Sequence, residues 1–518
     1  MNLPYSTRTM NLGHLLDQTA RRLPDHSAMV HGGQRWSWEQ MRSRVDALAR
    51  LLASRGIGKG DRVLVQSPNN NQMWESLWAS LKLGAVWVPA NFRGAPDDLR
   101  WMVELTQPKL LICHADFPDH AAICDLPVLA IGQADFGPDI DAELAGFDTS
   151  PLRAADVERD DPAWLFFTSG STGKPKAAVL THGQMGFVIA NHLADLIPGT
   201  TEQDASLVVA PLSHGAGIHQ MLQVARGVPS ILPEGGFDPQ EIWRLVQEYR
   251  VSNMFTVPTI VKLLTEHPAV DEFDHSSLRH VIYAGAPMYR ADQIRALEKL
   301  GPVLVQYFGL GEVTGCITVL PARLHETGEG WALEGSCGIP RTGIQIEVQD
   351  EAGNPLPLGK TGELCVTGGA VFAGYWNNDE ANAKSFRNGW FRTGDLGHMD
   401  EQGFFFLTGR ESDMFISGGS NIHPREIEEK LLLHPDIAEC AVVGMPDPKW
   451  GEVGVAICVT RDGGQPELGE WLGSRLARYK LPRRFEFWEE LPKSGYGKIT
   501  KKLVREELIR RDAGAGNG

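Results

Sequence analysis

FFTSGSTGKPKAAVLTH, residues 166–182, decides how the rest of the chain is read. It opens as an apolar strand and then packs hydroxyls, Gly170 and Gly173, and the two lysines Lys174 and Lys176 into one short turn. Glycines let the backbone come close to a ligand, and inward-pointing N–H and hydroxyl groups make a nest for phosphate oxygens. The nucleotide-triphosphatase P-loop is excluded. It needs GxxxxGK followed by Ser or Thr and a helix, whereas Gly170 and Gly173 are too close and Lys174 is followed by Pro175, which lacks a hydroxyl and resists a helix interior.

An anion held in this turn must be met by local charge. The chain of 518 residues carries 49 basic and 65 acidic side chains, a formal charge of −16, which argues against broad nucleic-acid or anionic-membrane binding. At this length two or more domains are expected. The composition, 42% hydrophobic and 22% charged, is that of a globular protein, and no window reaches the roughly 18 apolar residues of a membrane span. The N-terminal MNLPYSTRTMNLGHLL lacks the pattern of a secretory signal, so a cytoplasmic location is expected. Seven cysteines without a CxxC pair fit buried thiols in a reducing compartment.

Outward from the turn, strand-length apolar runs alternate with amphipathic stretches, the pattern of layered α/β architecture. DRVLVQSP (61–68) and AVWVPA (85–90) read as strands, with a helix over 73–84 between them stopped by Gly84. Segments 206–212, 228–233, 252–258, 279–285 and 302–308 are further short strands bounded by Gly or Pro. FDPQEIWRLVQEYR reads as a helix with Asp238 as N-cap, Pro239 in the first turn and Glu241 in capping-box position. From about 335 the texture changes to an antiparallel β section. From Glu411 onward, PREIEEKLLLHP, AECAVVG, VGVAICV and TKKLVREELIRR outline a small α/β domain of roughly 100 residues.

With these segments in order, the chain resembles the adenylate-forming superfamily of acyl-CoA synthetases, firefly-type luciferases and peptide-synthetase adenylation domains, and within it fatty-acid or aryl-acid CoA ligases. The likeness spans essentially the whole chain. It implies a large N-terminal domain (1–409), a hinge (410–413, with Ser412 and Asp413 near the usual pivot), a small mobile C-terminal α/β domain (414–512) and a disordered tail (513–518). The family's TSGTTGxPKG loop corresponds to Thr168, Ser169, Gly170, Ser171, Thr172, Gly173 and Lys176, with Ala177 for the last glycine. YAGAPM (283–288) resembles the adenine-side loop, through Gly285, Ala286 and Pro287. QYFGLGEVTG (306–315) resembles YGxTE: Phe308 and Gly309 fall at the base, Glu312 is the implied magnesium ligand, and Gly311 stands where threonine is usual.

WFRTGD (390–395) and GFFFLTGR (403–410) place Asp395 and Arg410 as the implied ribose-diol pair. ISGGSNIHPREIE (416–428) resembles the wall of the pantetheine tunnel through Gly418 and Gly419, and PKSGYGKITKKL sets Lys498 where the family has its catalytic lysine, with Tyr496 where Thr is usual.

The implied chemistry is attack of a carboxylate on the α-phosphorus of ATP, with loss of pyrophosphate, then transfer of the acyl group to the thiol of coenzyme A with loss of AMP. Such displacements need alignment and charge stabilisation rather than a protein nucleophile. Mg²⁺ at Glu312 and the ammonium of Lys498 supply the charge, and rotation at the hinge exchanges Lys498 for the 418–419 glycines between half-reactions. The acid would lie near PLSHGAGIHQ (211–220), with His214 closing over its carboxyl group or satisfying a helix end, and Tyr307 as an aromatic wall. An apolar fatty or aryl acid is expected. A carrier-protein thiol as acceptor, a weakened ATP-binding regulator and a homodimer all stay open at this point.

Overall fold

The computed structural model describes residues 10–168, 174–286, 288–325, 335–493 and 499–515. The chain forms two compact units: Met1–Gly285 with Ile294–Ile346 and Val366–Phe391, and Ala286–Gln293 with Glu347–Cys365 and Arg392–Gly518.

The first unit contains a six-stranded sheet in the order Val128–Ile131, Leu110–His114, Arg62–Gln66, Val86–Pro89, Pro162–Thr168, Lys176–Thr181. Every neighbouring pair is parallel except the last. Val63, Leu64 and Val65 are fully buried, as expected for a parallel strand covered on both faces. Between the first strands of this sheet runs the helix Asn71–Leu83, capped by the Asn70 side chain, which accepts from Met73 N at 2.7 Å. It ends at Gly84 in the left-handed region, φ 66°, where a Cβ would stand 2.7 Å from Val157 Cγ1. The edge-on pair Trp87–Trp164, 4.6 Å between centroids, fixes the neighbouring strands.

The last pair of this sheet is antiparallel. Phe166 faces Ala178, Phe167 faces Ala177 and Thr168 faces Lys176 in register. The 169–173 stretch thus bridges two hydrogen-bonded antiparallel strands instead of leading from strand to helix, which is the topological reason the triphosphatase reading fails.

A second sheet of this unit runs Gln34–Ser37, Ser27–His31, Ser230–Ile231, Ser206–Val208, Asn253–Thr256, His280–Tyr283, Leu304–Phe308, Thr318–Leu320, Ser336–Pro340, parallel through its middle. In open sheets of this kind ligands collect beyond the carboxyl ends of the strands, and that is where Gly285 and the Phe308–Glu312 segment follow. Strands are shorter than the sequence reading: 206–212 narrows to Ser206–Val208 and 228–233 to Ser230–Ile231. Asp238 does cap the helix Pro239–Tyr249, accepting from Gln240 N at 3.0 Å. The expected capping box is not formed, because Glu241 pairs with Arg244 one turn on at 2.7 Å.

The second unit carries the antiparallel pairing of residues 395–399 with Phe405–Arg410, in which Asp395 faces Arg410. It also has a sheet ordered Ser420–Ile422, Phe415–Ser417, Gly451–Thr460, Ile437–Asp447, with Arg484–Phe487 parallel to Gly451–Thr460. Strand alternation splits its core in two. Cys440, Val442, Ala456 and Cys458 pack with Ile427 and Leu431 of the helix Pro424–Leu431, while Ala441, Val443, Val455 and Ile457 pack with Val504 and Leu508 of the helix Lys501–Ala515. That last helix runs three residues into the stretch expected as tail. All seven cysteines are buried and none is in a disulfide. No helix among the described residues is long and apolar enough to cross a membrane.

Candidate active site

Glu312 lies in the one-turn segment Gly311–Val313 that follows the strand Leu304–Phe308, and it is only 5% exposed. A buried carboxylate is costly unless hydrogen-bonded. Here Thr168 Oγ1 donates to its Oε1 at 3.0 Å and Tyr375 OH donates to the same oxygen at 2.8 Å. Its backbone oxygen accepts from Phe372 N at 2.8 Å. Three segments distant in sequence therefore converge on one side chain: the last residue of the strand before the 169–173 turn, the turn after Leu304–Phe308, and the 372–375 loop.

Tyr375 was not singled out by the sequence, since a tyrosine after a glycine carries no local signal of this role. Its position is fixed by Asn382, whose Oδ1 accepts from Tyr375 N at 2.6 Å and whose Nδ2 donates to Tyr375 O at 3.1 Å. Burial first, and then the Glu312 carboxylate, push its phenol well above the ordinary range, so it stays a proton donor toward Glu312. Its ring also receives the ammonium of Lys176, 4.1 Å from the centroid. Burial holds that ammonium below its usual pKa, with Glu312 opposing.

With Oε1 doubly engaged, Glu312 Oε2 has no hydrogen-bond partner among the described residues. An anionic oxygen left over next to Thr168 suits a divalent cation, and such ions commonly take only one or two carboxylates, the remaining ligands being phosphate and water. The residues present fit Mg²⁺.

Gly311, the departure from the usual threonine, has a steric explanation. A Cβ at 311 would stand 2.6 Å from Phe166 Cε1 and 2.7 Å from Thr168 Cγ2. Phe166 occupies the space and packs against the His214 ring at a tilt, with centroids 4.5 Å apart and planes at 31°. His214 precedes the helix Gly215–Arg226 at the N-cap position but makes no side-chain cap bond, so its ring is committed to Phe166 and not to the helix end. Behind it Gly215 presses on Phe255, which stacks with Tyr307 at 5.7 Å, and the Tyr307 OH lies 3.4 Å from where a Gly215 Cβ would be. The 214–217 segment is thus walled by Phe166, Phe255 and Tyr307. Phe308 is half-buried at the end of its strand, and Gly309 passes so close to Gly315 that a Cβ would stand 2.5 Å from Gly315 Cα. Gly285 ends its strand at φ 84°, and Ala286 after it is exposed.

In the second unit Asp395 is buried, accepting from Arg410 Nε at 3.2 Å through Oδ1, while Oδ2 has no partner among the described residues. Burial pushes this carboxyl above its usual range and Arg410 opposes the shift. Gly418 and Gly419 form the two-residue loop between Phe415–Ser417 and Ser420–Ile422, both at positive φ (56° and 81°), as a type I′ hairpin requires. A Cβ at 418 would meet the Trp450 ring at 2.9 Å. Ser169, Gly170, Ser171, Thr172, Gly173, Pro287 and Lys498 lie outside the described residues.

A buried acidic side chain held by Thr168 and Tyr375 in a layered α/β unit, together with a smaller α/β unit, fits the class of adenylate-forming enzymes. The chain belongs to the AMP-binding enzyme family, whose description matches residues 16–376, with the AMP-binding enzyme C-terminal domain over 426–498. It is 37% identical over 510 residues to a feruloyl-CoA synthase of an Amycolatopsis species, covering 97% of this chain and 100% of that one. It is 33% identical over 513 residues to the long-chain-fatty-acid–CoA ligase FadD13 of Mycobacterium tuberculosis, covering 96% and 98%. Among solved structures it resembles the amide bond synthetase McbA from Marinactinospora thermotolerans, with TM-score 0.87 and 28% identity over 96% of this chain and 100% of that one.

Proposed function

We propose that this chain is an AMP-forming carboxylic acid–CoA ligase whose acid is aromatic. The observation that carries the reading is the convergence of Thr168 and Tyr375 on Glu312 at the base of the 169–173 turn. In the first half-reaction a carboxylate oxygen of the acid attacks the α-phosphorus of ATP, the bond to the β-phosphate oxygen breaks, and pyrophosphate leaves. In the second, the CoA sulfur attacks the acyl carbon, the bond to the AMP oxygen breaks, and the thiol proton passes to solvent.

Within this scheme Thr168, Lys176 and the turn they flank hold the β- and γ-phosphates, and Tyr375 orients Glu312. Mg²⁺ held by Glu312 would supply charge neutralisation on the phosphates. Asp395 accepts from the ribose hydroxyls through Oδ2, steadied by Arg410, and Gly285, Ala286, Pro287, Phe308 and Gly309 are assigned to the base. Lys498 balances charge as pyrophosphate departs, and Gly418 and Gly419 are assigned to the pantetheine. The hinge is assigned to 410–413, and seven buried thiols outside any disulfide support a cytoplasmic location.

Aromatic acid is preferred to fatty acid because the side chains beside His214 are aromatic, Phe166, Phe255 and Tyr307, and aromatic rings pack favourably with a flat ring. The resemblance to the feruloyl-CoA synthase agrees. A fatty acid is the second reading, favoured by the resemblance to FadD13. Release of AMP on adding CoA and each member of a panel of cinnamic, benzoic, medium-chain and long-chain acids tests the assignment: cinnamic-type acids are expected to lead, and a lead by long-chain acids would reverse the order of the two readings. Replacing CoA by a carrier-protein thiol separates the acceptors, and acid-dependent pyrophosphate exchange separates an enzyme from an ATP-binding regulator. Lys498→Ala is expected to abolish exchange while leaving thioester formation from supplied acyl-adenylate. Equal loss of both steps refutes the role given to Lys498.

A further inference from the structure

Both lysines flanking Pro175 rest on aromatic rings, Lys176 on Tyr375 and Lys174 on Trp101, whose ring centroid lies 4.0 Å from Lys174 Nζ. Trp101 stands on the helix Pro96–Thr106, about 70 residues upstream, and also donates its indole N–H to the Pro175 carbonyl at 2.9 Å. The second contact is informative. Pro175 has no N–H to enter the sheet, so its carbonyl is the only backbone group by which this residue can be tied down, and Trp101 ties it.

On the upstream side Thr168 is held by Glu312, and in the strand itself Thr168 faces Lys176. Trp101 supplies the matching constraint at 174–175, with the ring face taking the cation and the ring edge taking the carbonyl. We propose that Trp101 is a positioning residue for ATP binding, fastening the downstream end of the 169–173 turn through Pro175 and Lys174. The inference rests on the reading of that turn as the phosphate cradle. Contacts that hold Thr168 on one side and Lys174 and Pro175 on the other preorganise the residues flanking 169–173, so loss of the Trp101 contacts is felt as weaker ATP binding and not as weaker binding of the acid.

The test uses the full-length protein and four variants: Trp101→Leu, Trp101→Phe, Lys174→Gln, and Trp101→Leu with Lys174→Gln. ATP dissociation constants come from calorimetry and the KM for ATP and for the acid from pyrophosphate exchange. A hydrogen bond and a cation–π contact together predict a rise of about tenfold in the ATP constants for Trp101→Leu. Trp101→Phe, which keeps the ring and loses the N–H, and Lys174→Gln are each expected at about threefold. Because Lys174 acts through the ring, the double variant is expected to be no worse than Trp101→Leu alone. The proposal is overturned if the single effects multiply in the double variant, if KM for the acid rises in step with KM for ATP, or if Trp101→Leu stays within twofold of wild type. Should Trp101→Leu fail to fold, Trp101→Phe and Lys174→Gln decide by the same criteria. Wild-type protein that neither binds ATP nor exchanges pyrophosphate overturns both this inference and the reading beneath it, whereas wild-type protein that does both while the variants match it overturns the positioning role alone.

Discussion

Restoring the family's usual threonine at position 311 is expected to harm this protein. The Cβ alone would sit 2.6 and 2.7 Å from two carbons of the Phe166 ring and 2.7 Å from Thr168 Cγ2. Those separations are about 1 Å inside the roughly 3.5–4.0 Å at which carbons attract. Phe166 cannot retreat freely, because it is 3% exposed and packed against His214 at 4.5 Å and Trp164 at 5.8 Å. Thr168 cannot retreat without stretching its 3.0 Å bond to Glu312. Overpacking of this kind costs about 1–3 kcal/mol, and weakening a hydrogen bond to a charged group adds about 1.5 kcal/mol. Gly311→Thr should therefore lower kcat/KM for ATP by about a hundredfold and lower the free energy of unfolding measured in urea. Phe166→Leu in the same chain should recover part of both losses by freeing ring volume, a coupling visible in a double-mutant cycle. A Gly311→Thr protein with wild-type stability and equal or higher kcat/KM for ATP would refute the steric reasoning.

Tyr375→Phe keeps the ring under Lys176 and removes one of the two donors to Glu312 Oε1. It should reduce kcat/KM for ATP about tenfold and raise the magnesium concentration needed for half-maximal ATP binding in calorimetry, and an unchanged magnesium requirement would detach Tyr375 from Glu312. Acid lability should come in part from His182, which is fully buried, accepts from Leu12 N through Nδ1 at 3.2 Å, and has its pKa lowered by burial to about 4. Below an unfolded value near 6.5 the unfolded chain binds the proton first, so stability is complete above about pH 6.5 and is lost as pH falls toward 4, by roughly 3 kcal/mol for this one group. His182→Asn, which keeps an acceptor for Leu12 N, should flatten that slope in urea titrations between pH 4 and 6.5, and an unaltered slope would remove His182 from the account.

Local signals were the legible part. Gly84 ends its helix as expected because only a residue at ease at positive φ, with no side chain to strike Val157, fits there. Asp238 caps its helix for an equally local reason, and Glu241 departs from expectation because a nearby arginine competes for its carboxylate. That Pro162–Thr168 and Lys176–Thr181 pair antiparallel on either side of 169–173 was not readable, because pairing is settled by the whole sheet. Glu312 could be named, yet what holds it could not: Thr168 is 144 residues away and Tyr375 is 63, and neither separation leaves a periodic trace. Gly311 looked like a missing hydroxyl in the sequence. In the fold it is the space that Phe166 requires.

The most direct test of the account is acid-dependent exchange of labelled pyrophosphate into ATP by the purified protein without CoA, followed by addition of CoA. Cleavage between the α- and β-phosphates predicts exchange that requires a carboxylic acid, needs magnesium, and gives way to equal amounts of AMP and acyl-CoA once the thiol is present. Release of ADP and orthophosphate, or no exchange with any acid of the panel, would contradict it.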